Sequence, residues 1–374
     1  MAFTVVTDTD IKHIFKKPSP SALSSLIKSL EQALVEYSCE DGISYQPHRG
    51  VVTRLGGQVS LFMPATTQNV IGVKTVGIRP SENTSTLAPN EKPQPGLKST
   101  LTLSNAQGQA IGILNAAELT AFRTSLGSML LFRYRACVEN ILVFGAGKQA
   151  FWHIRLAVLL RGQDIRKITI VNRSNARTQS LIDDINQGPE FQLSSHISLT
   201  PFEAGSDRDA ALEALVVAAD ALFCTTPATQ PLFPSRFLTS KEAQEKSRYI
   251  SAIGSYRLDM QEIDPELLKD TVSTDCLTRF PRYKGGVIAV DTVEGCLQEA
   301  GELVEAGLTV DRLVEVGLIL QTKNTTMPPD LNQWLEKGVV IYKSVGMGVM
   351  DVAIGQDLLR LAESLNVGTR IENF

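Results

Sequence analysis

Apolar positions change period along this chain. From Ser21 to Tyr37, Leu23, Leu26, Ile27, Leu30, Leu34 and Val35 recur at i, i+3 and i+4 spacing, which predicts a helix with one stripe set against a core. Ser19 followed by Pro20 supplies an N-cap hydroxyl and a proline at the first helical position. Strand-like runs follow at Val59–Phe62, Ile71–Gly77, Leu101–Leu103 and Ala110–Leu114, and then a long helix is expected from Ala117 to about Arg135. Between Arg79 and Lys98 the chain turns to Pro, Ser, Asn and Lys, which bury too little apolar area to order themselves, so a mobile loop is expected.

From Asn140 the rhythm becomes strand, glycine turn, helix, strand. Ile141–Phe144 is a short apolar run of the kind buried on both faces of a parallel sheet, Ala150–Leu160 reads as a nearly all-apolar helix, and Ile168–Val171 is the next strand. Ala221–Cys224, Tyr249–Ile253 and Val287–Val290 are further strands, separated by helical runs such as Arg208–Ala218 and Glu294–Glu305. This alternation predicts an α/β fold with a doubly wound parallel sheet. After Leu320 a polar loop holding Met327, Pro328 and Pro329 leads to a last strand-like and helical segment, Val339 to Leu365.

Length sharpens the picture. A chain of 374 residues suits two domains, one for a cofactor and one for a substrate. With 43% hydrophobic residues and no run of roughly 20 uninterrupted apolar ones, no membrane partner is expected. The N-terminus places acids where a leader would place bases, so a cytoplasmic location is expected. A net charge of −4 without a basic run argues against nucleic acid as a partner. Five scattered cysteines form no C-x-x-C pair, four histidines offer no metal-ligand spacing, and no serine sits in a G-x-S-x-G elbow. The cysteines read as reduced, and neither a metal site nor a serine hydrolase is expected.

The chemistry concentrates at Gly145-Ala146-Gly147-Lys148-Gln149-Ala150, a G-x-G-x-x-A that follows a buried strand and opens a helix. The first glycine permits the tight turn, the second lets backbone approach a pyrophosphate, and Ala150 lets helix pack on strand. The helix N-terminus adds unpaired N–H groups and positive dipole. At the end of the second strand an acid would hold a ribose 2′-hydroxyl, but Asn172-Arg173-Ser174 stands there instead. Arg173 suits a 2′-phosphate, with Asn172 and Ser174 as further donors, so NADP(H) is expected ahead of NAD(H). Elsewhere three cations sit among apolar or small neighbours: Arg49 in Gln46-Pro47-His48-Arg49-Gly50-Val51-Val52, Lys74 in Ile71-Gly72-Val73-Lys74-Thr75-Val76, and Arg123 in Leu119-Thr120-Ala121-Phe122-Arg123-Thr124. A charge in an apolar strand needs a partner, for which an anionic ligand is one candidate, and a snorkelling surface cation is the plainer reading of each alone.

Taken in order, these segments resemble the ornithine cyclodeaminase and mu-crystallin family. The resemblance rests on Gln46-Pro47-x-Arg49-x-Val51-Val52, Met63-Pro64-Ala65 with Lys74, Leu119 to Thr124, Gly145 to Ala150 and Asn172-Arg173. Late in the chain it rests on Asp291-Thr292, Leu297 to Leu303, and Tyr342-Lys343-Ser344-Val345-Gly346-Met347 with Asp351. It implies a homodimer in which residues 1–124 and 325–374 form an α+β substrate-binding and dimerisation domain around an inserted Rossmann domain, 125–324. It implies that Arg49, Lys74 and Arg123 hold the carboxylate of an amino or imino acid and act in catalysis. Arg123, Thr124, Thr225, Thr226, Ser255, Lys343 and Ser344 would join the nucleotide residues around the cofactor.

Two positions depart from the cyclodeaminase pattern. Where cyclodeaminases resemble Gly-Gly-Asp or Gly-Ala-Asp after a strand, this chain has Gly254-Ser255-Tyr256, and where they carry a glutamate two residues before Met63-Pro64 it has Leu61. The stretch from Val272 to Gly286 is also longer than is usual in the family. The expected activity is therefore NADPH-dependent reduction of an imine beside a carboxylate, with Arg49 and Arg123 as clamps and Lys74 as proton donor. An amino acid dehydrogenase, a cyclodeaminase-type ammonia lyase and a non-catalytic NADPH-dependent ligand-binding protein are the alternatives.

Overall fold

The computed structural model describes residues 2–16, 18–78, 97–186, 191, 193–273 and 286–374. Most of the stretch expected as a mobile loop, 79–96, and most of the long stretch before Gly286, 274–285, lie outside the described residues. Two compact units emerge: Met1–Arg123 with Met347–Phe374, and Thr124–Gly346.

The chain opens with β1 (Phe3–Val6), α1 (Asp8–Lys16), α2 (Pro20–Cys39), β2 (Gly50–Thr53), β3 (Val59–Thr66), β4 (Val70–Ile78), β5 (Leu97–Asn105), β6 (Ala110–Asn115) and α3 (Ala116–Phe132). The second unit continues through β7 (Asn140–Phe144), α4 (Lys148–Arg161), β8 (Lys167–Val171), α5 (Asn175–Asn186), β9 (Ser198–Pro201), α6 (Arg208–Ala218), β10 (Ala221–Cys224), α7 (Arg236–Thr239) and α8 (Lys241–Glu245). It then runs through β11 (Arg248–Ala252), α9 (Pro265–Ser273), β12 (Ile288–Val290), α10 (Val293–Glu299), α11 (Gly301–Glu305), β13 (Leu313–Glu315), α12 (Val316–Thr325), α13 (Pro329–Lys337) and β14 (Val339–Lys343). Helix α14 (Gly348–Ser364) and β15 (Thr369–Ile371) complete the first unit. Among the described residues no helix is long and apolar enough to cross a membrane.

In the first unit, α2 starts as its sequence dictates: the Ser19 hydroxyl accepts the Ala22 N–H at 3.1 Å, and Pro20 occupies the first turn. The seven-stranded sheet has the order β15-β1-β6-β5-β4-β3-β2. Along β4 the side chains alternate, so Val70, Gly72, Lys74 and Val76 share the buried face. Helix α14 lies unusually close to that face because three glycines allow it. A Cβ on Gly72 would come within 2.5 Å of Val352, one on Gly355 within 2.4 Å of Leu101, and one on Gly348 within 3.0 Å of Ala65. This close seating brings Asp351 of α14 down onto Lys74 of β4.

In the second unit, eight parallel strands take the order β13-β12-β14-β11-β10-β7-β8-β9. The order runs away from β7 in both directions, so the switch point of this doubly wound sheet lies beside β7, between it and β10. Strand β10 is apolar throughout and β7 is apolar after Asn140, because both faces are covered.

Two expectations need correction. Residues 325–346 belong to the nucleotide-type unit and not to the other, because β14 inserts between β11 and β12 with Val340, Ile341 and Tyr342 fully buried. The helix expected over Glu294–Glu305 is broken at Ala300 into α10 and α11. There Gly301 packs so tightly that a Cβ would lie 2.4 Å from the Met260 carbonyl oxygen, and the chain bends to permit it.

Candidate active site

The glycine turn lies at the carboxyl end of β7, beside the switch point, where open α/β sheets bind ligands. Gly145 has a φ of 108° and donates its N–H to the Val171 carbonyl at 2.9 Å, tying the turn to β8. A Cβ at Gly145 would stand 2.7 Å from the Thr225 hydroxyl, so conformation and space both demand glycine. Nothing lies within 4 Å of the place a Cβ would take on Gly147, the residue that caps α4 without any side-chain hydrogen bond. The chain is therefore open beside Gly147 at the start of α4, where a helix N-terminus suits a pyrophosphate. Ala150 is fully buried, while Ala146 and Gln149 are half-buried and Lys148 is exposed.

At the end of β8, Asn172 and Ser174 are committed locally. The Asn172 amide donates to the Ser174 carbonyl at 3.0 Å, and the Ser174 hydroxyl accepts the Arg177 N–H in the first turn of α5. Arg173 is exposed between them, and Arg177 presents a second exposed cation. The expected phosphate donors are thus an arginine backed by a capped helix start.

Across the switch point the loops after β10 and β11 are knitted together. Thr225 donates its hydroxyl to the Phe144 carbonyl at 2.7 Å, holding the β10 loop against the end of β7. Glu262, wholly buried, accepts the Thr226 N–H at 2.6 Å and hydroxyl at 3.1 Å on one oxygen and the Gly254 N–H at 2.6 Å on the other. Burial pushes its carboxyl up to about 7, against the opposing pull of Lys343 and those backbone N–H groups. Ser255 and Lys343 are also buried: the Lys343 ammonium donates to the Ser255 carbonyl and hydroxyl and lies 3.2 Å from Glu302. Asp291 accepts the Ser344 hydroxyl at 2.6 Å and the Gly346 N–H at 2.7 Å. Ser255, Lys343 and Ser344 thus spend their side chains on shaping the sheet's carboxyl edge, and Thr124 opens the unit as a buried residue.

The first unit gathers the three cations singled out in the sequence. Lys74 donates to Asp351 Oδ2 at 2.6 Å and Arg123 Nε to Asp351 Oδ1 at 2.9 Å, all three side chains being buried. Arg49, half-buried ahead of β2, adds to the positive field at Lys74. Burial lowers the Lys74 ammonium to about 8; Asp351 opposes that fall, and Arg123 and Arg49 reinforce it. A buried lysine and a buried arginine thus share one carboxylate, with a further arginine adding positive field, a setting suited to an anionic ligand. The sequence reading missed Asp351 as a partner. Its signal was a lone acid in the otherwise apolar run Gly348-Val349-Met350-Asp351-Val352-Ala353-Ile354.

The carboxylates near the cyclodeaminase position are elsewhere engaged. Tyr256 is half-buried, Asp259 is exposed and pairs with Arg257 at 2.9 Å, and Asp264 accepts the Ser235 and Glu266 N–H groups at 2.7 and 3.0 Å. Leu61 stands half-buried in β3.

The family model for the ornithine cyclodeaminase/mu-crystallin family matches residues 9–359. The chain belongs to this family. A Delta(1)-pyrroline-2-carboxylate reductase of Bacillus cereus is 26% identical over 364 residues, covering 94% of this chain and 95% of that protein. The ketimine reductase mu-crystallin of Macropus fuliginosus is 22% identical, covering 88% and 89%. Among solved structures, the Thermococcus litoralis Delta(1)-pyrroline-2-carboxylate reductase in complex with NADH and L-proline superposes with a TM-score of 0.73 at 17% identity, over 98% of this chain and all of that one. This likeness extends over both units of the fold and shows their architecture, with a doubly wound sheet in the second unit.

Proposed function

We propose that this family member is an NADPH-dependent imine reductase acting on a C=N carbon beside a carboxylate, as in a cyclic imino acid. The observation that carries the reading is the pair of buried cations, Lys74 and Arg123, set on the single carboxylate of Asp351, with half-buried Arg49 adding to the positive field. Relatives named for reduction of pyrroline-2-carboxylate and of ketimines support it. Arg49 and Arg123 suit a carboxylate because their planar forks match its two oxygens. Lys74 directs one N–H at Asp351 and has two more to offer, and an ammonium lowered to about 8 gives up a proton readily near neutral pH. In this reading the substrate nitrogen takes its proton from Lys74 while its carboxylate is held by the arginines. A nicotinamide, when bound, would supply the hydride. Reductive amination of a 2-oxo acid uses the same groups and is the second reading.

NADPH is proposed ahead of NADH because Arg173 is exposed where a 2′-phosphate would lie and no acid opposes it. A homodimer is proposed from the apolar side chains that the first unit leaves exposed on β2, β3 and β4, among them Val51, Val52, Phe62 and Ile71. The deciding experiment follows NADPH oxidation with pyrroline-2-carboxylate, piperideine-2-carboxylate and their 2-oxo acid and ammonia counterparts. Turnover of a cyclic imino acid supports the proposal; no turnover of any of them rejects it.

A further inference from the structure

Glu262 belongs neither to the glycine fingerprint nor to the cationic cluster, yet it is fully buried at the carboxyl edge of the parallel sheet. It spans two loops that follow adjacent strands, β10 and β11. One of its oxygens serves Thr226 twice, at 2.6 and 3.1 Å, and the other serves Gly254 at 2.6 Å. Those loops are already in close contact: a Cβ on Gly254 would lie 2.1 Å from the Thr226 carbonyl oxygen. Thr226 in turn flanks Gly145, whose Cβ would stand 3.2 Å from the Thr226 methyl. The three loops form one edge, running from the phosphate turn along the crevice a dinucleotide would follow.

We propose that Glu262 is a proton-sensitive positioning residue for the cofactor: as a carboxylate it locks the β10 and β11 loops into the cofactor-binding shape, and when protonated it releases one of them. The chemistry is that of its acceptors. A carboxylate offers only acceptors, and here three N–H or O–H donors use both oxygens. A proton on either oxygen turns that atom toward donating, and it then confronts a backbone N–H that is itself a donor. The inference rests on the nucleotide site alone and is independent of which substrate is reduced.

The groups facing Glu262 are few. Lys343 of β14 draws its carboxyl down and Glu302 of α11 pushes it up, while burial dominates and sets it near 7. Cys224 of β10 is held well above its ordinary range by burial and stays a neutral thiol. His153, also buried in this unit, is lowered to about 4 and stays uncharged across neutral pH.

The test is NADH binding to the intact, substrate-free protein, followed by nicotinamide fluorescence from pH 6 to pH 8. NADH lacks the 2′-phosphate that would itself titrate in this range. With a carboxyl near 7, the competent fraction falls from about nine-tenths to about one-tenth between those limits, so the wild-type dissociation constant should rise roughly tenfold toward pH 6. Glu262→Gln should bind NADH at pH 8 about as weakly as wild type does at pH 6, without the pH dependence. Amide exchange at Thr226 and Gly254 in the cofactor-free protein should be faster in Glu262→Gln than in wild type at pH 8. A flat wild-type profile overturns the proposal even if the variant does not fold. A variant that keeps the wild-type affinity and slope overturns it as well.

Discussion

Lys74 Nζ and Asp351 Oδ2 meet at 2.6 Å across 277 residues of chain, and the pair sets the charge state of the proposed substrate cluster. Asp351 is what holds the Lys74 ammonium up against burial and two guanidinium groups. Asp351→Asn should therefore let Lys74 fall below its present value of about 8. Lys74 must be protonated to donate, so activity is retained below its pKa and lost as pH rises through it. In wild type the fall in kcat/KM should begin near pH 8, and in Asp351→Asn it should begin at lower pH. Breaking a buried pair also costs about 3–5 kcal/mol, which denaturant titration would register. An unmoved basic limb in a folded variant would remove Lys74 from the role of donor.

Lys74→Met and Arg123→Ala should each abolish turnover. Each removes one of the two cations bonded to Asp351, and with it part of the charge that recognises a carboxylate. NADPH binding should survive Lys74→Met better than Arg123→Ala, since Arg123 adjoins Thr124, where the nucleotide unit begins. Near wild-type kcat/KM for either variant on every active substrate would show the clamp to be wrongly assigned.

The nucleotide side was legible because its constraints are local. Gly145 is dictated by a turn and a neighbour one strand away, and a short apolar run before it announces β7. The cluster around Lys74 was half legible. A lysine in an apolar strand signals an unmet charge, but its partner comes from α14, and only the glycine-permitted seating of that helix reveals it. Glu262 was hidden for a different reason. It lies in Arg257-Leu258-Asp259-Met260-Gln261-Glu262, where nothing local distinguishes the one buried carboxylate from an exposed neighbour. The placement of β14 failed because an interior strand of four apolar residues after a polar helix reads equally as the start of a new domain.

Arg173→Ala should weaken NADPH by about tenfold or more and leave NADH nearly unchanged, since a charge-assisted contact to a phosphate is worth about 1.5–3 kcal/mol. The neighbouring donors Asn172 and Ser174 are neutral and, held in local hydrogen bonds at the start of α5, do not replace the lost charge. Arg177 is the one other exposed cation in that first turn, so Arg173→Ala with Arg177→Ala should lose more than either alone. Fluorescence titration of both cofactors decides the matter: equal losses for NADPH and NADH would remove the 2′-phosphate from this turn.

The protein should not release ammonia from ornithine, despite the first half of its family's name. Deamination calls for a base that takes a proton from the substrate amine and helps to expel ammonia, a task suited to a carboxylate charged at neutral pH. At the strand end where cyclodeaminases carry that acid, this chain places Tyr256, a bulkier side chain with no carboxylate to offer. The nearby acids are occupied: Asp259 pairs outward with Arg257, Asp264 holds the start of α9, and both oxygens of Glu262 are bound to the loops it joins. Asp264 and Glu262 cannot serve as the base without dismantling a structural contact, and Asp259 stands exposed on the surface. Incubation with L-ornithine and catalytic NAD should yield neither ammonia nor proline, whereas pyrroline-2-carboxylate or piperideine-2-carboxylate should consume NADPH. Tyr256→Asp is the sharper half of the test, since it restores the missing carboxylate: a trace of ammonia release in that variant alone would locate the difference at this residue. Robust proline formation from ornithine by the wild-type protein would overturn the reading.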